Sequence, residues 1–298
     1  MKRVYLKTAN INYHSLIRKF ISMIFLVLII ISCSKKNDTE PLKISQEIKE
    51  LIYFKGNESA STVLINSQGG PGYQLDEHIV NLFFQNYNTD DVLMANVHQA
   101  QTKNLVPFTN NNITLEQAIN FDGESVESLF KVINFFKEQG RTVYVLGVSF
   151  GAFLTQELIA KHGINVADKY LIITGRLDIN DIIWQAALEG KNSRFQNGTT
   201  PIIIPGIEDN IMERNTMKLF AGIAKNRYTE RLNSINDLSN IMYVFGTQDQ
   251  AVGRLTAEEI HFLQSKNATV ISGNGNHDET SNNLTVDAIK DFFGIAPK

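Results

Sequence analysis

Two kinds of apolar pattern alternate along the chain, and the first is a set of short continuous runs. Such runs, bounded by glycine or polar residues, are typical of strands that are buried on both faces. They are STVLINS (61–67), DVLMANV (91–97), RTVYVLGV (141–148), KYLIITG (169–175), IMYVFGT (241–247) and ATVISG (268–273). Partial alternation in KISQEIKELIYF (43–54) predicts one or two further strands at an edge of the sheet.

The second pattern has helical spacing and separates these runs. It predicts helices over 126–136, 153–162 and 284–293, where apolar residues recur every three or four positions. Buried strands that alternate with helices indicate a parallel sheet covered on both faces. We therefore predict an α/β fold, with a mostly parallel sheet of about eight strands and helices on both sides.

Residues 178–240 interrupt this alternation. Their apolar positions are mainly helical, around 182–188 and 211–223. We expect a short helical cap at 178–240 above the sheet, inserted between two parts of one core, 46–177 and 241–298.

The N-terminal segment has the composition of a targeting signal. Basic residues up to Lys19 precede an apolar stretch, Phe20–Ser32. This stretch is too short to span a bilayer as a helix, which takes roughly 20 apolar residues. Cys33 follows at once, and this arrangement resembles the lipobox of bacterial lipoproteins. The resemblance implies a signal peptide at 1–32, a lipidated Cys33, and export to a bacterial cell membrane, the outer one in a Gram-negative cell. A plain signal peptide or an anchor helix with a chance cysteine stays open, and the polar residues within 33–45 predict a flexible tether.

Charge and cysteine content exclude several classes of function. Without residues 1–32, the chain carries a formal charge of −8, which makes a nucleic-acid partner unfavourable. Because Cys33 is the only cysteine, an internal disulfide and a multi-cysteine metal site are excluded. We predict no metal and no cofactor, and a small-molecule or peptide substrate as partner, with the oligomeric state left open.

The strongest chemical motif is GVSFG (147–151), a G-x-S-x-G between a predicted strand and a predicted helix. In that setting the serine sits on a strained turn with its hydroxyl exposed, and neighbouring side chains would clash. Ser149 is therefore the candidate nucleophile, and it needs a base to remove its proton. His277, in a glycine-rich loop predicted directly after the last strand, is the candidate base. His98 is a weaker candidate, for substrate contact.

A carboxylate must hold that histidine in the correct tautomer. Asp249 follows a predicted strand, whereas Asp278 is a weaker candidate because adjacent side chains rarely face each other. For the oxyanion, Phe150 offers the backbone N–H directly after the serine. A second N–H is expected from the loop QGGPG (68–72), at Gly70.

These four motifs, in this order, resemble the α/β-hydrolase superfamily over residues 46–298. QGGPG resembles the HGGPG loop of the proline-iminopeptidase-like branch, although Gln68 replaces its first histidine. The aspartate-glutamine-arginine-glycine signature of that branch is missing, and HQAQ (98–101) stands at the corresponding place. The resemblance implies the α/β-hydrolase fold and a Ser149–Asp249–His277 triad.

The leading hypothesis for function is a membrane-anchored serine hydrolase that cleaves an ester or an amide through an acyl-enzyme. An iminopeptidase-like aminopeptidase and a non-catalytic binding protein on the same fold are the alternatives. Trp184, Ile182, Ile183 and Phe220 are candidates for an acyl pocket in the cap, or for packing within it.

Overall fold

The computed structural model describes residues 43–298, which fold around a seven-stranded sheet. Its strands are β1 (Ile52–Gly56), β2 (Thr62–Ser67), β3 (Val92–Val97), β4 (Thr142–Val148), β5 (Lys169–Ile173), β8 (Ile241–Gly246) and β9 (Thr269–Gly273). The remaining two, β6 (Ser193–Gln196) and β7 (Thr200–Ile203), pair with each other as an antiparallel hairpin. In space the sheet order is β1-β3-β2-β4-β5-β8-β9, and only the edge strand β1 is antiparallel to its neighbour.

The helices lie between these strands in the chain. They are α1 (Gln46–Lys49), α2 (Glu77–Asn86), α3 (Ala100–Lys103), α4 (Val106–Thr109), α5 (Leu115–Glu138), α6 (Phe150–His162), α7 (Asp181–Leu188), α8 (Ile211–Ala224), α9 (Tyr228–Arg231), α10 (Ala257–Ser265) and α11 (His277–Ala288). A 3-10 turn (Ile164–Val166) precedes β5, and a π-helical turn (Ile289–Phe293) follows α11. A reciprocal cap between Thr114 and Gln117 sets the start of α5, the longest described helix.

Both faces of the sheet are buried, which explains the continuous apolar runs. Because side chains alternate along a strand, Val63 and Ile65 join one apolar cluster while Leu64 joins the other. The larger cluster packs against α5, α6 and part of the 178–240 segment. The smaller cluster packs against α2 and the turn after α11. The prediction of a mostly parallel sheet with helices on both faces is confirmed.

Two details of the sequence prediction are corrected. The main sheet has seven strands rather than about eight, because residues 46–49 form a helical turn and only β1 follows as an edge strand. Within 178–240, the β6–β7 hairpin lies between helices α7 and α8, which helical spacing could not reveal, and α9 follows α8. The hairpin contributes Phe195 to the core, where Gly253 packs against its ring.

The predicted signal peptide, Cys33 and most of the predicted tether lie outside the described residues, so these remain predictions. Across residues 43–298, every helix is too short or too polar to cross a bilayer. The carboxyl ends of the parallel strands β2, β4, β8 and β9 share one edge of the sheet, and this edge collects the candidate site residues.

Candidate active site

Ser149 lies on a tight turn between β4 and α6. Its backbone has φ 51° and ψ −116°, in the left-handed half of conformational space that L-residues avoid. Holding a residue there costs roughly 1–3 kcal/mol, so the surrounding structure must impose it. The turn lifts the serine out of the strand at the carboxyl edge of the sheet.

Close backbone contacts explain the two glycines of the G-x-S-x-G motif. A Cβ atom on Gly151 would lie 1.8 Å from the Ser67 carbonyl oxygen and 2.6 Å from that of Gln68. A Cβ atom on Gly147 would lie 2.5 Å from Thr155 Oγ1. The missing side chains let the start of α6 sit directly on the end of β2, beside the loop predicted to hold the oxyanion.

Ser149, His277 and Asp249 form one hydrogen-bonded row. His277 Nε2 lies 3.0 Å from Ser149 Oγ, and His277 Nδ1 lies 2.7 Å from Asp249 Oδ2. The imidazole is 13% exposed and the carboxylate 1% exposed. The structure therefore brings together three residues that are 28 and 100 positions apart in the sequence.

The carboxylate of Asp249 is held in place by its own loop. Its second oxygen, Oδ1, accepts hydrogen bonds from the backbone N–H groups of Ala251 (2.8 Å) and Val252 (3.0 Å). Asp278, the alternative orienter, is exposed. Among the described residues its side chain has no hydrogen bond or ion pair, so the geometry favours Asp249.

His277 differs from the sequence prediction in its local setting. It opens helix α11 instead of lying within a loop. Asn276 caps that helix by accepting from Glu279 N, and the Glu279 side chain accepts from Asn276 N in return. The cap fixes the start of α11, and the backbone N–H of His277 donates to Gln250 Oε1 at 3.3 Å. These bonds tie the histidine to the loop that carries Asp249.

Two backbone N–H groups beside Ser149 are free to bind an anionic oxygen. Phe150 begins the 13-residue helix α6, where the first N–H groups have no intrahelical partner and the helix dipole is positive. Gly70 has φ 132°, and a Cβ atom there would lie 2.2 Å from Gly72 N. Within residues 43–298 neither N–H has a hydrogen-bond acceptor, and both residues line the cavity at Ser149.

Comparison with known proteins gives matches at the level of structure. No protein-family model matches the sequence, and no curated protein matches it. Among solved structures, TT1662 from Thermus thermophilus aligns with a TM-score of 0.54 and 14% identity, covering 82% of this chain and 92% of that one. MGS-M2, an α/β-hydrolase enzyme from a Medee basin deep-sea metagenome library, aligns at 0.50 and 13%, covering 82% and 94%. The peroxisomal α/β-hydrolase Lpx1 of Saccharomyces cerevisiae also aligns at 0.50 and 13%, covering 82% and 80%.

This chain has the α/β-hydrolase fold. Triads of this fold follow the chain order serine, acid, histidine. Ser149, Asp249 and His277 have the same order. At these low sequence identities, the similarity to solved structures shows the fold alone.

A cavity of about 220 Å³ opens at Ser149, between the α/β-hydrolase core and residues 183–220. Its lining is mainly apolar, and two of the four predicted pocket residues, Ile183 and Phe220, belong to it. Trp184 does not, because its indole N–H donates to the Ala221 carbonyl at 3.0 Å and its ring packs on the core. Ile182 is 48% exposed on the protein surface.

Sequence reasoning missed Thr216 and Met217, which also line this cavity from helix α8. Helical spacing marks an apolar face on α8 but does not show which residues contact the core and which face the cavity. Tyr73, in the loop after β2, was missed as well. Its hydroxyl donates to the Met212 carbonyl and accepts from Thr216 Oγ1 at 3.1 Å, so it joins this loop to α8.

Within residues 43–298, the other histidines, His78, His98, His162 and His261, are not among the residues that line the cavity. His98 is half-buried, with Nδ1 3.0 Å from Thr102 Oγ1, and burial lowers its pKa. It is not among the residues that line the cavity, so the structure does not support its predicted substrate contact. Within residues 43–298, no group of three His, Cys, Asp or Glu side chains is placed to hold a metal ion.

Proposed function

We propose that this protein is a serine hydrolase that cleaves an ester or an amide through an acyl-enzyme on Ser149. One observation carries the proposal: a single imidazole lies within hydrogen-bonding distance of Ser149 Oγ and of the buried carboxylate of Asp249. A serine hydroxyl becomes a useful nucleophile only with such a base, and the base needs such an orienter. The strained turn at Ser149 supports the same function.

In the proposed mechanism, His277 Nε2 takes the proton of Ser149 as Oγ attacks the substrate carbonyl carbon. The carbonyl π electrons move onto oxygen, and the N–H groups of Phe150 and Gly70 bind the resulting oxyanion. The carbonyl then re-forms as the leaving group departs with the proton from His277. Water repeats these steps on the acyl-enzyme, with His277 as base and then as acid, and releases the free acid and Ser149. Asp249 accepts from Nδ1–H throughout and stabilises the imidazolium.

The cavity favours a short acyl group without a positive charge. Its volume of about 220 Å³ is below the roughly 300–1,000 Å³ of pockets that bind drug-sized ligands, which suits a short chain. Among the described residues that line it, Lys191 is the only charged one. An aminopeptidase must bind a free ammonium group, and this lining offers it no carboxylate. The iminopeptidase alternative therefore has no support from the cavity.

We also propose that the enzyme is exported and held at a bacterial membrane through a lipid on Cys33. The motive is the sequence pattern, in which the only cysteine follows a short apolar stretch. An acyl chain anchors a domain to a bilayer without a spanning helix.

The triad is tested with purified residues 34–298 and short p-nitrophenyl esters. We expect Ser149→Ala to abolish turnover and labelling by a fluorophosphonate. Asp249→Asn should fold normally yet lose about three to four orders of magnitude in kcat, because the wrong histidine tautomer then faces the serine. Asp278→Asn is the matched control and should retain the wild-type rate.

The alternatives give different results in the same assay. A non-catalytic binding protein would show neither ester turnover nor labelling of Ser149. Aminoacyl-arylamides, tested in parallel, would be cleaved faster than esters by an aminopeptidase. Near-normal turnover in Asp249→Asn would rule out Asp249 as the orienter.

A further inference from the structure

A cluster of buried amide side chains lies beneath the loop that carries Gly70. Its members are Asn66, Gln68, Asn96, Gln99 and Gln101. Each is at most 6% exposed, although strands β2 and β3 are otherwise apolar in this region. Burying an amide costs free energy unless its hydrogen bonds are made. The hydrogen-bond partners of these amides therefore show which parts of the backbone the cluster holds in place.

Gln68 bridges the two ends of its own loop. Its Nε2 donates to the Gln74 carbonyl at 2.9 Å, and its Oε1 accepts from the backbone N–H of Asp76 at 2.8 Å. Asn96 Nδ2 also donates to Gln68 Oε1, at 2.8 Å, and to the Asp76 carbonyl, at 2.9 Å. The segment 68–76 is therefore fastened from below to strand β3.

Gln99 holds the first peptide of this loop. Its Nε2 donates to the Gln68 carbonyl oxygen at 2.9 Å, and its Oε1 accepts from Gln101 Nε2 at 2.6 Å. That same carbonyl lies against Gly151 at the start of α6. A peptide unit is planar, so fixing the direction of the Gln68 carbonyl also fixes the opposed N–H of Gly69 and the path into Gly70.

The loop held in this way passes directly beside the nucleophile. A Cβ atom on Gly69 would lie 3.4 Å from Ser149 Cβ. An oxyanion donor is effective only when its N–H is already aimed at the developing charge, so small shifts of the loop reduce its contribution. The hydrogen bond from Gln99 Nε2 fixes the direction of the Gln68 carbonyl, at the start of this loop.

We propose that Gln99 is a positioning residue, which orients the Gly70 N–H through the Gln68 carbonyl. This inference rests on the proposed serine-hydrolase function. The cluster contains only uncharged amides. Of the titratable residues that flank it, Asp76 caps the start of α2, and His98 lies 3.0 Å from Thr102 Oγ1, which hydrogen-bonds the Gln99 backbone. The bond from the Gln99 side chain to the Gln68 carbonyl itself joins two groups that do not titrate.

The first test replaces Gln99 by methionine, which has a similar shape but no N–H. We expect Gln99→Met to lower kcat about tenfold or more while KM changes less than twofold. The affinity for a trifluoromethyl ketone should fall by the same factor as kcat, because its hemiketal oxygen binds the same N–H groups. Gln156→Met is the matched control: this buried glutamine binds the Ala152 and Arg176 carbonyls, away from the loop.

The second test is Gln99→Glu, which keeps the acceptor for Gln101. A protonated carboxyl can still donate to the Gln68 carbonyl, whereas an ionised one cannot. The kcat of this variant should therefore fall as pH rises through an additional ionisation, which the wild-type profile lacks. The profile reports the orientation of the loop even where Gln99→Met folds poorly.

Two results would overturn the proposal. One is a loss of kcat and ketone affinity in Gln99→Met no larger than in Gln156→Met at equal folded fraction. The other is a Gln99→Glu pH profile with the shape of the wild-type profile. Failure of the underlying function is separate, since wild-type protein would then neither hydrolyse ester nor react with a fluorophosphonate.

Discussion

At the scale of single residues, the geometry around Ser149 depends on a neighbouring glycine that has no side chain. Gly151 has no room for a side chain, because the Ser67 carbonyl occupies the position of a Cβ atom. Gly123, in helix α5, has open space at the same position, with nothing within 4 Å. These two helical glycines therefore separate the effect of steric contact from the effect of backbone entropy.

We expect Gly151→Ala to destabilise the fold by at least about 1–3 kcal/mol, the usual cost of overpacking, and to abolish ester turnover. Gly123→Ala should stabilise it by about 0.5–1 kcal/mol and leave kcat unchanged, because alanine favours the helix. Urea denaturation and steady-state kinetics measure both. A Gly151→Ala protein as stable and active as the wild type would contradict the close packing of α6 on β2.

Asp122 is a second residue whose surroundings determine its chemistry. It lies in α5 opposite Gly222 of α8, it is 3% exposed, and within residues 43–298 its Oδ2 has no hydrogen-bond partner. Burial, and to a lesser extent the nearby carboxylate of Glu157, raise the pKa of Asp122 well above its ordinary value of 3.8. The folded protein therefore holds the carboxyl neutral where the unfolded chain ionises it.

This shift predicts how stability changes with pH. From pH 3.8 up to the raised pKa of Asp122, only the unfolded chain loses the proton, so the free energy of unfolding falls by up to about 1.4 kcal/mol per pH unit. Asp122→Asn removes this loss, so its stability relative to the wild type should rise with pH across that window. Urea denaturation at several pH values measures it, with the exposed Asp278→Asn as control. A pH-independent difference would show that the fold does not raise the pKa of Asp122.

At the scale of elements, helix α8 connects the cavity with the loop of the proposed oxyanion site. Met217 and Phe220 line the cavity, and Phe220 packs edge-on against Phe153 of α6. One to two turns before Phe220, the same helix contacts Tyr73. The Met212 carbonyl accepts a hydrogen bond from the Tyr73 hydroxyl, and Thr216 Oγ1 donates one to it. The shape of the cavity and the position of the loop therefore depend on the same helix.

Shortening Met217 should change which acyl chain fits. We expect Met217→Ala to enlarge the cavity and to shift the highest kcat/KM toward p-nitrophenyl esters with an acyl chain about two to three carbons longer, as judged from the size of the deleted side chain. Met212→Ala is the control on the same helix. It does not line the cavity and it keeps the carbonyl that binds Tyr73. Equal chain-length profiles for Met217→Ala and the wild type would place the acyl group elsewhere.

At the scale of the whole molecule, the sequence pattern around Cys33 predicts where the enzyme works. Lipidation of Cys33 would add apolar chains to a protein whose described helices do not cross a bilayer. In the full-length protein, Cys33→Ala should abolish labelling by a palmitate analogue and move the enzyme from the membrane fraction to the soluble fraction. An absence of labelling in wild-type cells, with membrane association unchanged, would exclude this anchor.

The sequence alone determined the sheet class and indicated Ser149 as the candidate nucleophile. Both rest on local patterns, since continuous apolar runs report burial on two faces and G-x-S-x-G reports a turn that only glycines permit. The same patterns placed His277 and Asp249 near the correct edge, because parallel strands end together.

Only the tertiary structure shows which of Asp249 and Asp278 reaches His277, because a hydrogen bond between residues 28 positions apart depends on how two segments of the chain meet. The tertiary structure likewise shows that Met217 lines the cavity and that Trp184 does not. Helical spacing marks the apolar face of a helix but not what that face contacts. The amide cluster around Gln99 follows the same rule. Each amide is an ordinary polar residue in the sequence, and its role arises from partners that only the fold brings within 3 Å.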